Sequence, residues 1–99
     1  MKTTLNRSNI LLFVQRALLD EVFPQLRSVM VDYSENKVRL YFYVDGVISI
    51  DDADSLDCVE TEVIADMTPD IEVVSEVIRL DAPVREPDKG ICVYHRKEQ

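Results

Sequence analysis

The sequence predicts an α+β two-layer sandwich in which two helices cover one face of a four-stranded, mainly antiparallel sheet. A segment in which hydrophobic residues recur with a helical period is followed by two segments with a period of two. This succession occurs twice and gives the order α-β-β-α-β-β. The connections within each strand pair are short, which favours hairpins. Because 99 residues with 46% hydrophobic content can bury one modest core but not two, we expect a single domain over residues 1–99.

The first helix is predicted to follow a loose lead-in at residues 1–7. Its N-cap would be Ser8, and it would run from about Asn9 to Val22. One apolar stripe of this helix would pack on the sheet and leave a second stripe outside. The second stripe suggests either a contact with a second copy or another partner, or a surface that the other helix covers. Its residues are Leu12, Leu19 and Phe23.

A period of two then predicts a hairpin of strands at 26–34 and 37–45, joined by a short turn. A third strand is predicted at 71–80, although the pattern does not decide which side faces inward. A proline-containing loop at 81–89 leads to a fourth strand at 90–97. Alternation along the hairpin directs one set of polar and aromatic side chains away from the core, namely Asp32, Arg39, Tyr41 and Tyr43.

Ser49 is the predicted N-cap of the second helix, with Asp52 three residues later, and Thr68-Pro69 should end it. Its apolar stripe is formed by Leu56, Val59, Val63 and Met67. Glu60 falls beside this stripe. It either reaches past the edge of the layer or takes a hydrogen bond from a tyrosine or arginine, or it is a buried acid with a raised pKa.

The second helix lies within a segment of one-sided charge, because the stretch from Leu40 to Ile78 holds eleven acidic residues and no Lys or Arg. Acids in the first turn are favoured by the helix dipole. The later acids repel one another. A basic partner would offset that repulsion and gain steered association, and a solubilising surface is the alternative explanation. The predicted partner-binding residues are Asp51, Asp54, Asp57, Glu62 and Asp66, with Tyr41 and Tyr43 as aromatic anchors.

The net charge of −8 argues against unaided binding to nucleic acid or to an anionic membrane. No apolar run approaches the roughly 18 residues that a membrane span requires. Gln15 and Arg16 interrupt the N-terminal apolar run, which favours a mature helix over a signal peptide. We therefore expect a cytoplasmic protein whose Cys58 and Cys92 are reduced thiols.

Spacing argues against a metal site or a known catalytic motif. An EF-hand loop counted from Asp52 would have Leu56 and Val63 at ligand positions. The two cysteines and the single histidine, His95, lack zinc-ligand spacing, and no phosphate-binding loop or activated-nucleophile motif is present. We expect no metal, no cofactor and no catalytic residue.

Four segments of the chain are "NILLFVQRALLDEV", "CVETEVIADM", "IRLDAP" and "GICVYHRKE". Together they resemble small bacterial immunity proteins of contact-dependent growth inhibition and of related colicin-like toxin systems, over roughly residues 9–98. The resemblance implies a protein that binds a toxin domain delivered by a neighbouring cell and blocks it stoichiometrically. The toxins of such systems are often nucleases, so an acidic inhibitor would occupy a basic groove.

The leading hypothesis is therefore a cytosolic immunity protein that neutralises a cognate toxin domain by tight binding. A second hypothesis is an acidic adaptor or regulatory protein that binds a basic protein of the same cell. A third is a small enzyme or metal binder that uses Glu60 and nearby carboxylates.

Overall fold

A computed structural model describes residues 6–98 and shows the predicted element order α-β-β-α-β-β. Both helices pack on one side of the sheet, called here the helix face. The opposite side is called the loop face, because residues 80–90 cross it. Residues 1–5 of the predicted lead-in lie outside the described residues. The elements are α1 (Arg7–Ala17), β1 (Leu26–Ser34), β2 (Lys37–Val44), α2 (Ile50–Asp66), β3 (Glu72–Arg79) and β4 (Ile91–His95).

Helix α1 begins two residues before the predicted start, because Asn6 is its N-cap. The Asn6 side chain accepts a hydrogen bond from the Asn9 N–H at 2.9 Å. The predicted cap at Ser8 was wrong, since Ser8 lies within the first turn. Both residue types cap well, so composition alone did not distinguish them.

The chain leaves α1 at Ala17, well before the predicted end at Val22, and passes through a turn in which Asp20 has φ 66°. This turn brings Leu18 and Phe23 into the core, where they are 6% and 8% exposed. Phe23 therefore cannot contribute to the predicted homodimer surface. Of that set, Leu12 and Leu19 are exposed, at 48% and 70%.

The hairpin of β1 and β2 is confirmed, with Val29 opposite Phe42 and Val31 opposite Leu40. These side chains face the helices and are fully buried. They form the core together with apolar residues of both helices, among them Ile10, Val14, Leu56, Val59 and Val63. Alternation then places Tyr41 and Tyr43 on the loop face, as the sequence predicts.

The sheet is mixed, with strand order β3-β2-β1-β4, so the expectation of a mainly antiparallel sheet was wrong. β3 lies parallel to β2, and β4 pairs antiparallel with β1 at the opposite edge. The predicted hairpin of β3 and β4 therefore does not form. The physical reason is α2, which carries the chain back along the sheet so that β3 starts at the same end as β2. A parallel pair needs such a crossover of a dozen or more residues.

Residues 80–90, called here the crossing loop, pass over the loop face from the β3 edge to the β4 edge. Gly90 ends the loop with φ +84°, and a Cβ at this position would overlap the Val31 carbonyl oxygen of β1. Only glycine combines that backbone angle with so close an approach. The loop therefore lies directly against the sheet at this point.

Candidate functional site

The sequence-predicted carboxylates lie along the outer side of α2, called here the acidic face (Asp51, Asp54, Asp57, Glu62 and Asp66). The predicted N-cap is confirmed, since the Ser49 hydroxyl oxygen accepts a hydrogen bond from the Asp52 N–H at 3.1 Å. The predicted apolar stripe is also confirmed, with Leu56 at 2% and Val59 at 0% exposure. Burial of that stripe turns four of the five carboxylates fully towards solvent and leaves the fifth, Asp66, half-buried.

No Lys, Arg or His within residues 6–98 forms an ion pair with any carboxylate of the acidic face, whereas eight ion pairs join other parts of that region. The thiol of Cys58, which lies among these acids, responds to their charge. Partial desolvation, followed by the negative charges of Glu21, Asp54 and Asp57, raises the pKa of Cys58. The acidic face is thus a region of uncompensated negative potential.

The centre of the acidic face is a shallow depression lined by Asp54, Asp57 and Glu62 together with Cys58 and Thr61. The two remaining members lie at the ends of α2, about 22 Å apart for fifteen residues at 1.5 Å each. The structure therefore groups three of the predicted carboxylates closely. It extends the charge along the whole helix rather than concentrating it at one point.

The structure does not bring the two predicted aromatic anchors together with the acidic face. Tyr41 and Tyr43 project from the opposite side of the sheet. Tyr41 is half-buried, with the Lys89 ammonium 5.5 Å from its ring centre. Tyr43 is fully buried, and desolvation followed by the charge of Glu76 raises the pKa of its phenol. Tyr43 therefore offers no surface to a partner in this conformation.

The side chain of Glu60 extends from α2 to β3, where its Oε2 accepts a hydrogen bond from the Ser75 hydroxyl at 2.5 Å. The expectation that Glu60 takes a hydrogen bond is confirmed, although the donor is a serine rather than the expected tyrosine or arginine. The bond also settles the inward side of β3, because Ser75 is in register with the buried Leu40. Glu60 thus joins the helix layer to the sheet.

A polar cluster on the loop face is centred on Arg27, which is 1% exposed, and was not predicted from the sequence. Its Nε and Nη2 donate to the two carboxylate oxygens of Glu98 at 2.9 and 3.0 Å, and Nη2 also pairs with Glu86 at 2.7 Å. Its Nη1 donates to the carbonyl oxygens of Leu80 and Val84 at 2.8 and 2.6 Å. The guanidinium therefore donates four hydrogen bonds, and its Nη2 also forms the ion pair with Glu86.

Arg96 extends this cluster to the end of β2. It donates to Glu98 Oε2, to the Pro24 carbonyl oxygen and to Asp45 Oδ2, each at 2.8 Å. Hydrogen bonds from Arg27 and then from Arg96 lower the pKa of Glu98 to about 2. The cluster fastens the crossing loop and the C-terminal segment to the sheet. No local sequence pattern predicts this cluster, because Arg27 and Glu98 are 71 residues apart.

Three residues of this cluster, Glu86, His95 and Glu98, place one potential metal-ligand atom each within 4.8 Å of one another. Glu86 also binds His95 Nε2 at 2.9 Å. Both carboxylates are already engaged by Arg27, and its fixed positive charge would repel a cation at that position. The arrangement is accounted for as an ion-pair cluster that holds the loop.

Comparison with protein-family models identifies the chain. Residues 7–98 match the model of the MafI2 immunity protein. The chain belongs to the MafI2 immunity protein family. Membership confirms the resemblance to small bacterial immunity proteins of toxin systems, and immunity proteins are generally non-enzymatic. No curated protein matches the chain.

Within residues 6–98, neither α1 nor α2 has the length and apolar character that crossing a bilayer requires.

Proposed function

We propose that this protein neutralises a cognate toxin domain by binding it stoichiometrically, with the acidic face of α2 as the principal contact surface. The observation that carries the proposal is the combination of membership in an immunity protein family with a helix whose exposed carboxylates have no ion-pair partner among residues 6–98. Uncompensated like charges destabilise the free chain, and a basic surface on the partner would relieve that repulsion.

The proposed toxin surface is basic, as a groove that binds nucleic acid would be. A nuclease domain is therefore the toxin class that this surface suits best. Such a groove presents Lys and Arg to phosphates, and a helix with carboxylates along its length would occupy the same positions. Charge complementarity of this kind acts chiefly on the association rate and makes it sensitive to salt.

The test uses this chain and the C-terminal region encoded by the open reading frame directly upstream of its gene. Association kinetics are measured at low and at physiological salt for the Asp54→Lys/Asp57→Lys double variant. The matched control is Glu35→Lys/Asp88→Lys, at two exposed sites that are not part of α2. Each acid-to-lysine change adds two charges, so both variants carry −8 + 4 = −4.

We expect the α2 variant to associate about tenfold or more slowly at low salt, because the local field that steers encounter is reversed. The control should change by no more than about threefold, because its net charge is the same but its altered sites lie elsewhere. Equal effects of the two variants would show that only net charge matters and would remove α2 from the interface. Absence of any complex would contradict the proposed function itself.

A further inference from the structure

Strand β3 forms one edge of the sheet. It pairs with β2 through eight consecutive register positions, from Glu72 opposite Lys37 to Arg79 opposite Val44. Among residues 6–98, no strand pairs with its other side. The outer side of β3 is thus a continuous row of backbone groups that a further strand could bind.

The direction of each backbone group follows from two hydrogen bonds. The N–H groups of Glu72 and Leu80 donate to carbonyl oxygens at the two ends of β2, each at 2.8 Å. Because backbone groups alternate sides along a strand, even-numbered residues bond to β2. The odd-numbered residues Val73, Ser75 and Val77 therefore direct their N–H and C=O groups outward.

β3 lacks several of the features that usually block an exposed edge, although it carries the charged residues Glu72, Glu76 and Arg79. It contains no proline and no lysine, and its register with β2 has no bulge. Exposed apolar side chains also lie at the C-terminal half of this edge, since Val77 is 46% exposed and Val47 is 79% exposed. Val77 and Val47 line one shallow depression there.

The charge around this edge favours one kind of occupant. β3 carries the exposed acids Glu72, which pairs with Lys37 at 3.6 Å, and Glu76. The helix α2, whose outer side is the acidic face, packs against the same strand. A second copy would bring another chain of net charge −8, and another α2, to the same place. An extended segment with basic and apolar side chains would instead meet complementary charge and an apolar contact.

We propose that the toxin domain binds this protein by adding an extended, basic segment to the outer edge of β3 as a fifth strand of the sheet. This inference rests on the proposed function and deepens it. The backbone of β3 would supply hydrogen bonds that do not depend on toxin side chains. The flanking acids would select a basic segment, and Val47 and Val77 would receive its apolar side chains.

Amide hydrogen exchange resolved residue by residue tests this directly, in the free chain and in its complex with the same C-terminal region. In the free chain, the outward amides of Val73, Ser75 and Val77 should exchange quickly, while those of Val74 and Glu76 are protected by β2. In the complex, exchange of the outward amides should slow by at least about 100-fold. The newly protected amides would then be those of alternate residues along β3.

A matched pair of variants gives a second measurement. Ser75→Pro and Ser75→Ala both remove the hydroxyl that binds Glu60, but only proline removes the outward N–H, and proline is tolerated on an edge strand. We expect Ser75→Pro to weaken toxin binding about tenfold or more relative to Ser75→Ala. Should the proline variant fail to fold, the exchange measurement on the unmodified chain decides.

The outcomes separate this inference from the proposed function. A stoichiometric complex whose outward β3 amides still exchange as in the free chain overturns the edge contact and leaves toxin binding standing. Concentration-dependent protection of those amides without toxin would assign the edge to a second copy and overturn the inference. If no complex forms, both proposals are wrong.

Discussion

Replacement of Arg27 by methionine tests the account of the loop-face cluster. The change keeps a long side chain but removes five N–H donors, and it leaves Glu86, whose side chain is 6% exposed, without its main partner. The carbonyl oxygens of Leu80 and Val84 lose their donors at the same time. Removing one partner of a buried ion pair costs about 3–5 kcal/mol. That is a large share of the about 5–15 kcal/mol that stabilises a typical domain.

The assay is equilibrium unfolding in urea at pH 7, with the free energy of unfolding compared between variants. Arg39→Met is the matched control, because the Arg39 side chain is 37% exposed and lies 4.0 Å from Asp32. A surface pair of this kind contributes about 0–1 kcal/mol. If Arg27→Met lowered the free energy of unfolding by less than about 1 kcal/mol, the argument that this guanidinium holds the crossing loop would be refuted.

Three further predictions concern particular positions. Gly90→Ala should lower the free energy of unfolding in urea by at least about 2 kcal/mol, because it adds a clash with Val31 to the strain of positive φ, whereas Gly46→Ala adds only the strain; equal costs would contradict the close approach. The Glu98 carboxyl has its folded pKa lowered from 4.5 to about 2, so its stabilisation is present above about pH 4.5 and is lost as pH falls towards 2. The stability difference between the wild type and Glu98→Gln should therefore shrink over that window, and a constant difference would argue against the ion pairs. The last prediction uses a variant whose only cysteine is Cys58. Replacing Asp54 and Asp57 by asparagine should speed alkylation of the thiol near neutral pH, because the raised pKa of Cys58 would fall. An unchanged alkylation rate would show that these charges do not act on the thiol.

Features set by local chemistry were predictable from the sequence. Helix α2 follows from the cap at Ser49, the stop at Thr68-Pro69 and the spacing of its apolar stripe, and the structure agrees at both ends. The β1–β2 hairpin follows from two β-rich segments on either side of a short turn, with clear alternation in β2. In both cases the deciding residues are neighbours in sequence.

Features set by distant contacts were not predictable in this way. The parallel placement of β3 depends on the path of α2 over the sheet, and the length of that connection was the one available signal. The early end of α1 depends on the burial of Leu18 and Phe23. The partners of Arg27 lie 53 to 71 residues away. Within the candidate site, the acids of α2 were predictable as one surface. The separation of Tyr41 and Tyr43 from them also follows from the predicted alternation and from both helices lying on one face, although the predicted interface grouped the tyrosines with the acids.

The central claim is that this protein neutralises a toxin by stoichiometric binding. The most direct measurement is bacterial growth while the upstream C-terminal region is expressed at a fixed level and this chain is titrated against it, with both amounts quantified. The account predicts toxicity that disappears as the chain reaches equimolar amounts. Toxicity that persists at an excess of the chain, or that disappears far below equimolar amounts as an enzyme would achieve, would contradict the account.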